Sequence, residues 1–200
     1  MPKDDKMHKI DDELLAFKQS PLYEFRTSNK YFPVVGEGDC DANILFVGEA
    51  PGKNEAKTGK LFCGASGKFL TELIESIDLT RDKVYITNIV KDRPPENRDP
   101  TPEEITLYGG FLDRQIEIIQ PRIIATLGRL SMDYVMKKFG LNSELEPIGK
   151  IHGRSFAATA SYGPISIITL YHPAAALYNG SMRDVLKKDF AALKQFESDK

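Results

Sequence analysis

The sequence is short of cysteine, tryptophan and histidine: two, none and three among 200 residues. Cys40 and Cys63 stand apart and neither belongs to a CxxC pair, so the spacings that hold zinc or iron–sulfur centres are missing. Two free thiols are expected, since a disulfide does not persist in a reducing compartment. No apolar run approaches the roughly 20 residues of a membrane span. The opening MPKDDKMHKIDDELL lacks the apolar core of a signal peptide, and a cytoplasmic location without membrane contact is expected. Neither sign of charge dominates, with 27 Lys and Arg against 29 Asp and Glu and a net charge of −2. That balance excludes a protein that coats nucleic acid indiscriminately, though it leaves room for a local basic face.

What is present alternates. ILFV (Ile44–Val47) is an apolar run that breaks into Gly48-Glu49-Ala50-Pro51-Gly52, followed after Ser66 by apolar residues at helical spacing: Phe69, Leu70, Leu73, Ile74 and Ile77. KVYITNIV and PRIIATLG read as buried strands, and IHGRSFAATASYGPISIITLYHP as a strand pair turning near Gly163-Pro164. Thr101 with Pro102 and two acids opens a helix, RLSMDYVMKKFG forms another that Gly140 closes, and SMRDVLKKDFAALKQFESD is a final amphipathic one. Near the start, DDELLAFKQSPL predicts a short helix capped by Asp11 or Asp12, and SNKYFPVVGEGDCDA a loop. The expectation is one α/β domain over 1–200, a three-layer αβα sandwich on a central four-stranded, mainly parallel sheet, with 1–40 as a helix and loop packed on the core.

In such sheets ligands bind beyond the carboxyl ends of the strands. Those ends carry Glu49, Asn88, backbone donors and His172, with Phe62 in the first loop. No strong nucleophile and no metal cluster is among them. The first loop also lacks the Lys-Ser/Thr of a Walker-type phosphate site. An amide matches the O4 and N3–H edge of a pyrimidine, an aromatic ring stacks on a base, and an imidazole can donate to an oxygen gaining charge. A flipped-out uracil leaving as an anion needs those three groups.

At these residues the sequence resembles the family-4 uracil-DNA glycosylases. The matching motifs are GEAPG with Glu55 following, GKLFCGASG, VYITNIVKDRPPENRDPTPEE, PRIIATLG and YHPAA, in family order from Ile44 to about Arg183. The resemblance implies hydrolysis of the N-glycosidic bond of uracil in DNA, the first step of base-excision repair. It assigns Gly48, Glu49, Ala50, Pro51 and Gly52 to the motif that organises water and pocket. Phe62 is assigned to stacking, Asn88 to reading the base edge, and His172 to stabilising the uracil O2. Residues 174–179 fall where the family inserts a loop into the minor groove. Ala50 stands where better-known glycosylase families have aspartate, so Glu49, Glu55, Asn88 or backbone carbonyls must orient the water. Glu49 is favoured. KNEAKTGKLF lacks the histidine of a covalent-trapping group, and ordinary turnover is expected.

The family usually carries a four-cysteine [4Fe–4S] cluster. Here Phe17 and Ser20 stand at the first two ligand places, Asp92 at the third and Tyr108 at or beside the fourth. No cluster and no metal is expected, with packing by Phe17 and Tyr108 holding those regions together. Cys63 is expected to line the pocket. Asn97, Arg98, Gly128, Arg129, Ala174 and Arg183 are expected at DNA, and Lys53, Lys57, Lys60, Arg93 and Arg154 are further candidates for phosphate contact. The expected partners are uracil-containing DNA and downstream repair proteins, the expected state a monomer. Two alternatives remain open: a glycosylase for another deaminated base such as hypoxanthine, and a DNA- or uracil-binding homologue without activity.

Overall fold

A computed structural model describes residues 1–194. Its sheet has six strands in the order β1-β3-β2-β4-β6-β5: β1 (Glu37–Gly38), β2 (Ile44–Gly48), β3 (Tyr85–Asn88), β4 (Ile123–Leu127), β5 (Ser155–Ala160) and β6 (Gly163–Leu170). The inner four, β3-β2-β4-β6, are parallel. They are the four strands the apolar runs predict. The two outermost strands run antiparallel to their neighbours and extend the sheet at both edges. Glu37–Gly38, read as loop, pairs with β3 as a two-residue strand.

Every residue of β2 is buried, yet the pleat divides them between two cores. Leu45 and Val47 enter a cluster with Ile10, Leu112, Ile116 and Val135, contributed by α1 (Lys3–Leu15), α5 (Pro102–Ile119) and α6 (Arg129–Lys138). Ile44 and Phe46 enter a second cluster with Leu70, Leu73 and Phe190, from α4 (Ala65–Glu75) and α9 (Met182–Lys194). Phe46 and Phe190 stack with ring centroids 5.7 Å apart. Helices thus cover both faces, as continuous apolar strands require.

Helix boundaries differ from the sequence reading in two places. Helix α1 begins at Lys3 and ends at Leu15, so Asp11 and Asp12 lie within it and cap nothing. Its buried residues Met7, Ile10 and Leu14 already carry the helical period upstream of them. A second short helix, α2 (Tyr23–Ser28), follows. Gly64, not Ser66, is the N-cap of α4. Helix α5 starts as read: Thr101 Oγ1 accepts from the Glu104 N–H at 3.2 Å and Glu104 Oε2 accepts from the Thr101 N–H at 2.8 Å, a capping box with Pro102 in the first turn. The last five residues of the expected final helix, 195–199, lie outside the described residues.

Candidate active site

Strands β2 and β3 pair in register so that Gly48 lies beside Asn88 at their carboxyl ends. A methyl group on Gly48 would sit 2.2 Å from Asn88 Oδ1 and 3.4 Å from the Phe62 ring. Only glycine lets the amide and the ring come this close. Asn88 is 2% exposed, and among the described residues its side-chain amide has no protein hydrogen-bond partner.

Phe62 is buried and has a left-handed backbone, φ 46°. Two features hold it there. Glu55, from α3 (Lys53–Thr58), accepts from the Phe62 N–H with one oxygen and from the Gly52 N–H with the other. Gly67 accepts the close approach of Phe62, since a Cβ there would lie 1.6 Å from the Phe62 carbonyl oxygen. Burial raises the Glu55 pKa, and the two N–H donors oppose the rise.

His172 follows β6. Its Nδ1 accepts from the Ala174 N–H at 3.1 Å. In a neutral imidazole that contact places the proton on Nε2. Burial lowers the His172 pKa to about 4, so the neutral ring persists through the physiological range. The ring stacks near Phe62, with centroids 5.8 Å apart and planes 26° from parallel. Glu49 is half-buried; burial and then Asp99 raise its pKa, with Arg129 opposing. Its carboxylate has no hydrogen-bond partner among the described residues.

These groups line one cavity of about 520 Å³ with Ala50, Pro51, Gly52, Asn97, Arg98 and Ala174, a size within the range of about 300–1,000 Å³ common to small-ligand sites. Ser66, Pro94, Asp99 and Tyr178 also line it, none of them marked by the sequence reading as a pocket residue. Cys63 does not line it; that thiol is exposed beside Thr58.

Most cations expected at DNA are engaged within the protein. Arg98 makes a two-pronged contact with Glu104 (2.6 and 2.9 Å), and Arg129 pairs with Asp99 at 3.0 Å. Arg183 bonds Glu72 at 2.6 Å and lies over the Phe69 ring. Asn97 accepts from Arg93 Nε at 2.7 Å. The Gly128 N–H donates to the Leu170 carbonyl at 2.8 Å, so it serves the sheet and is not offered to phosphate. Arg154 lies over Phe156, while Lys53, Lys57 and Lys60 are exposed in and just after α3.

The four places where the family's cluster ligands would fall converge in space, and they are filled. Ser20 Oγ and the Tyr108 hydroxyl lie 2.6 Å apart, and that hydroxyl donates to Asp92 Oδ2 at 2.5 Å. Arg26 donates to Asp92 Oδ1 at 3.2 Å and to the carbonyls of Leu14 and Leu15. Phe17 sets its ring edge-on to Tyr108 and Phe111, at 5.5 and 5.1 Å. Packing by Phe17 and Tyr108 is therefore only part of what joins α1, α5 and the loop after β3; a buried hydrogen-bonded chain does the rest. No thiol is among these residues and no buried side-chain polar atom there lacks a partner, a donor set that does not fit iron. Among the described residues no group of three or more His, Cys, Asp or Glu could hold a metal ion.

A carboxylate, an amide and an imidazole thus surround one cavity at the carboxyl ends of parallel strands, where open α/β sheets bind their ligands. The uracil DNA glycosylase superfamily matches residues 35–196, and the chain belongs to that family. A Type-4 uracil-DNA glycosylase of Sulfurisphaera tokodaii is 47% identical over 192 residues, covering 96% of this chain and 84% of the relative. Another of that name from Thermotoga maritima is 37% identical over 196 residues, covering 97% and 96%. A Type-5 uracil-DNA glycosylase of Thermus thermophilus is 35% identical over 130 residues, covering 58% and 59%.

Proposed function

We infer that the protein is a monofunctional uracil-DNA glycosylase of the family-4 type, acting on uracil flipped out of DNA. The observation that carries this reading is the convergence of Asn88, Phe62 and His172 on one cavity, two of them with open hydrogen-bonding atoms. Asn88 reads the O4 and N3–H edge, and Phe62 stacks on the ring. The bond between uracil N1 and deoxyribose C1′ breaks with its electron pair going to the base. His172 Nε2–H then donates to O2 as that oxygen becomes anionic. Glu49, the cavity carboxylate without a protein partner among the described residues, favours the sugar cation and orients the water that adds to C1′. It also accepts the proton that water sheds, which then passes to solvent or to the departing uracil anion. Glu55 acts through backbone: with both oxygens engaged by N–H groups, it positions Phe62 and the Gly52 turn.

The base leaves and the DNA keeps an abasic sugar. Tyr178, 91% exposed at the cavity rim, is placed to enter the space the base vacates. Lys53, Lys57 and Lys60 supply phosphate contacts, with Arg98 and Arg129 available only on exchange of their carboxylate partners. We further propose that the enzyme is a single-domain cytoplasmic monomer and holds no iron–sulfur cluster. The side chains at the four ligand places, Ser20, Asp92 and Tyr108 hydrogen-bonded and Phe17 packed on Tyr108, support the last point. Iron and acid-labile sulfide in anaerobically purified protein should both be absent; stoichiometric iron would overturn it.

Cleavage of a uracil-containing oligonucleotide, revealed by alkali at the abasic site, tests the activity. His172→Ala should lower the single-turnover rate by about 10²–10³, the usual loss for one donor to a developing oxyanion. Folded protein that binds DNA yet releases no uracil would sink the reading. Release of hypoxanthine in its place would reassign the base.

A further inference from the structure

Lys91 lies three residues past Asn88 and is fully buried, with no carboxylate among its partners. Its Nζ reaches the Asn88 carbonyl at 2.6 Å, Thr87 Oγ1 at 2.7 Å and Gln115 Oε1 at 2.5 Å. Thr87 and Gln115 both donate onward to the Val35 carbonyl, at 2.6 and 3.0 Å. The amine therefore joins the end of β3 to α5 and to the segment before β1.

Burying an amine without a counter-charge is unfavourable even when hydrogen bonds meet its donors, and burial pushes the Lys91 pKa well below its ordinary value. A methionine or leucine would fill much of the same space without that cost. What the amine adds over them is its set of hydrogen bonds, to Thr87, to Gln115 and to the carbonyl of Asn88, and of these the last bears directly on a residue of the cavity. The other end of that peptide unit is also held, since the Ile89 N–H donates to the Gly48 carbonyl at 3.0 Å. Both polar groups of the plane leaving Asn88 are thus fixed, and the plane sets the direction in which the Asn88 side chain departs.

We propose that Lys91 is a positioning residue for base recognition, clamping with the Gly48 carbonyl the peptide unit that aims the Asn88 amide into the cavity. The proposal rests on the uracil-reading role given to Asn88 and deepens it. Lys91 itself touches neither base nor sugar. Its contribution passes through Asn88 and should vanish with that side chain.

A double-mutant cycle tests this. Lys91→Met, Asn88→Ala and the double variant are compared for single-turnover uracil release and for inhibition by free uracil. Lys91→Met should slow release by roughly ten- to a hundredfold, the scale of loss from a misaimed group. It should also raise the uracil inhibition constant, and both effects should be nearly absent on the Asn88→Ala background. A folded Lys91→Met protein with the parental rate and uracil affinity would overturn the proposal. So would a loss that adds in full to that of Asn88→Ala, the signature of a general structural role. Asn88→Ala without loss would sink the reading of Asn88 itself. Should Lys91→Met not fold, the same cycle with Thr87→Val removes one anchor of the amine and leaves Lys91 in place, with the same two outcomes deciding.

Discussion

Two polar clusters in this protein are built on opposite terms. Around the strand ends, Asn88, Glu49 and the His172 Nε2 keep hydrogen-bonding atoms without partners among the described residues, and all three side chains line a cavity. Between α1, α5 and the loop after β3, Ser20, Tyr108, Asp92 and Arg26 are bonded to one another and to nearby backbone, so their polar atoms are met within the protein. Burial gives both their strength, because a hydrogen bond gains and an unmet group loses more in a low dielectric. The open cluster leaves that advantage to a ligand; the closed one spends it on holding three segments together. The clusters also meet in sequence: Lys91 holds the Asn88 peptide of the first, and its neighbour Asp92 belongs to the second.

The sharpest way to break the comparison is to open the closed cluster. Arg26→Met leaves the Asp92 carboxylate buried beside Tyr108 without its cation. Unfolding in urea should show a loss of about 3–5 kcal/mol, as expected when one partner of a buried pair is removed. At low temperature, uracil release per folded molecule should stay near the parental value; a large loss of rate would mean that the two clusters are not separate. Tyr108→Phe is milder, removing the hydroxyl between Ser20 and Asp92, and should cost about 1–3 kcal/mol by the same measurement.

The open cluster is probed by pH. In the proposed mechanism Glu49 works as a carboxylate, and its pKa is raised from 4.5 by burial, so activity should fall as pH drops through a value above 4.5. The slope should be about tenfold per pH unit for one group. Glu49→Gln should be slow and should lack that limb. His172, neutral down to about 4, should contribute no inflection near 6.5. A limb that persists in Glu49→Gln would assign it to another group.

The sequence shows the central strands because each is a nearly continuous β-branched or apolar run, as parallel strands buried on both faces require. It hides β1, whose Glu37 and Gly38 carry no strand propensity and are recruited by β3. The pocket is legible for a related reason: the strand ends fall at fixed points in those runs, so Gly48, Asn88 and His172 can be placed without coordinates. Pairings between distant segments cannot. Ser20 meets Tyr108 across 88 residues and Arg183 meets Glu72 across 111, and nothing local marks either. That is why cations that read as phosphate contacts prove to be engaged at home. Lys91 left a signal that could have been followed, a lysine directly after the apolar Ile89 and Val90, where the chain is still inside the core.

The contact between the Ala174 amide and His172 Nδ1 has a kinetic consequence. In the proposed mechanism its proton is stationed on Nε2 before the base arrives, so the imidazole works as a fixed dipole whose protonation state is the same before and after the bond breaks. It takes no proton from solvent and returns none between rounds. Turnover limited by base release should therefore be indifferent to the concentration and identity of the buffer acid.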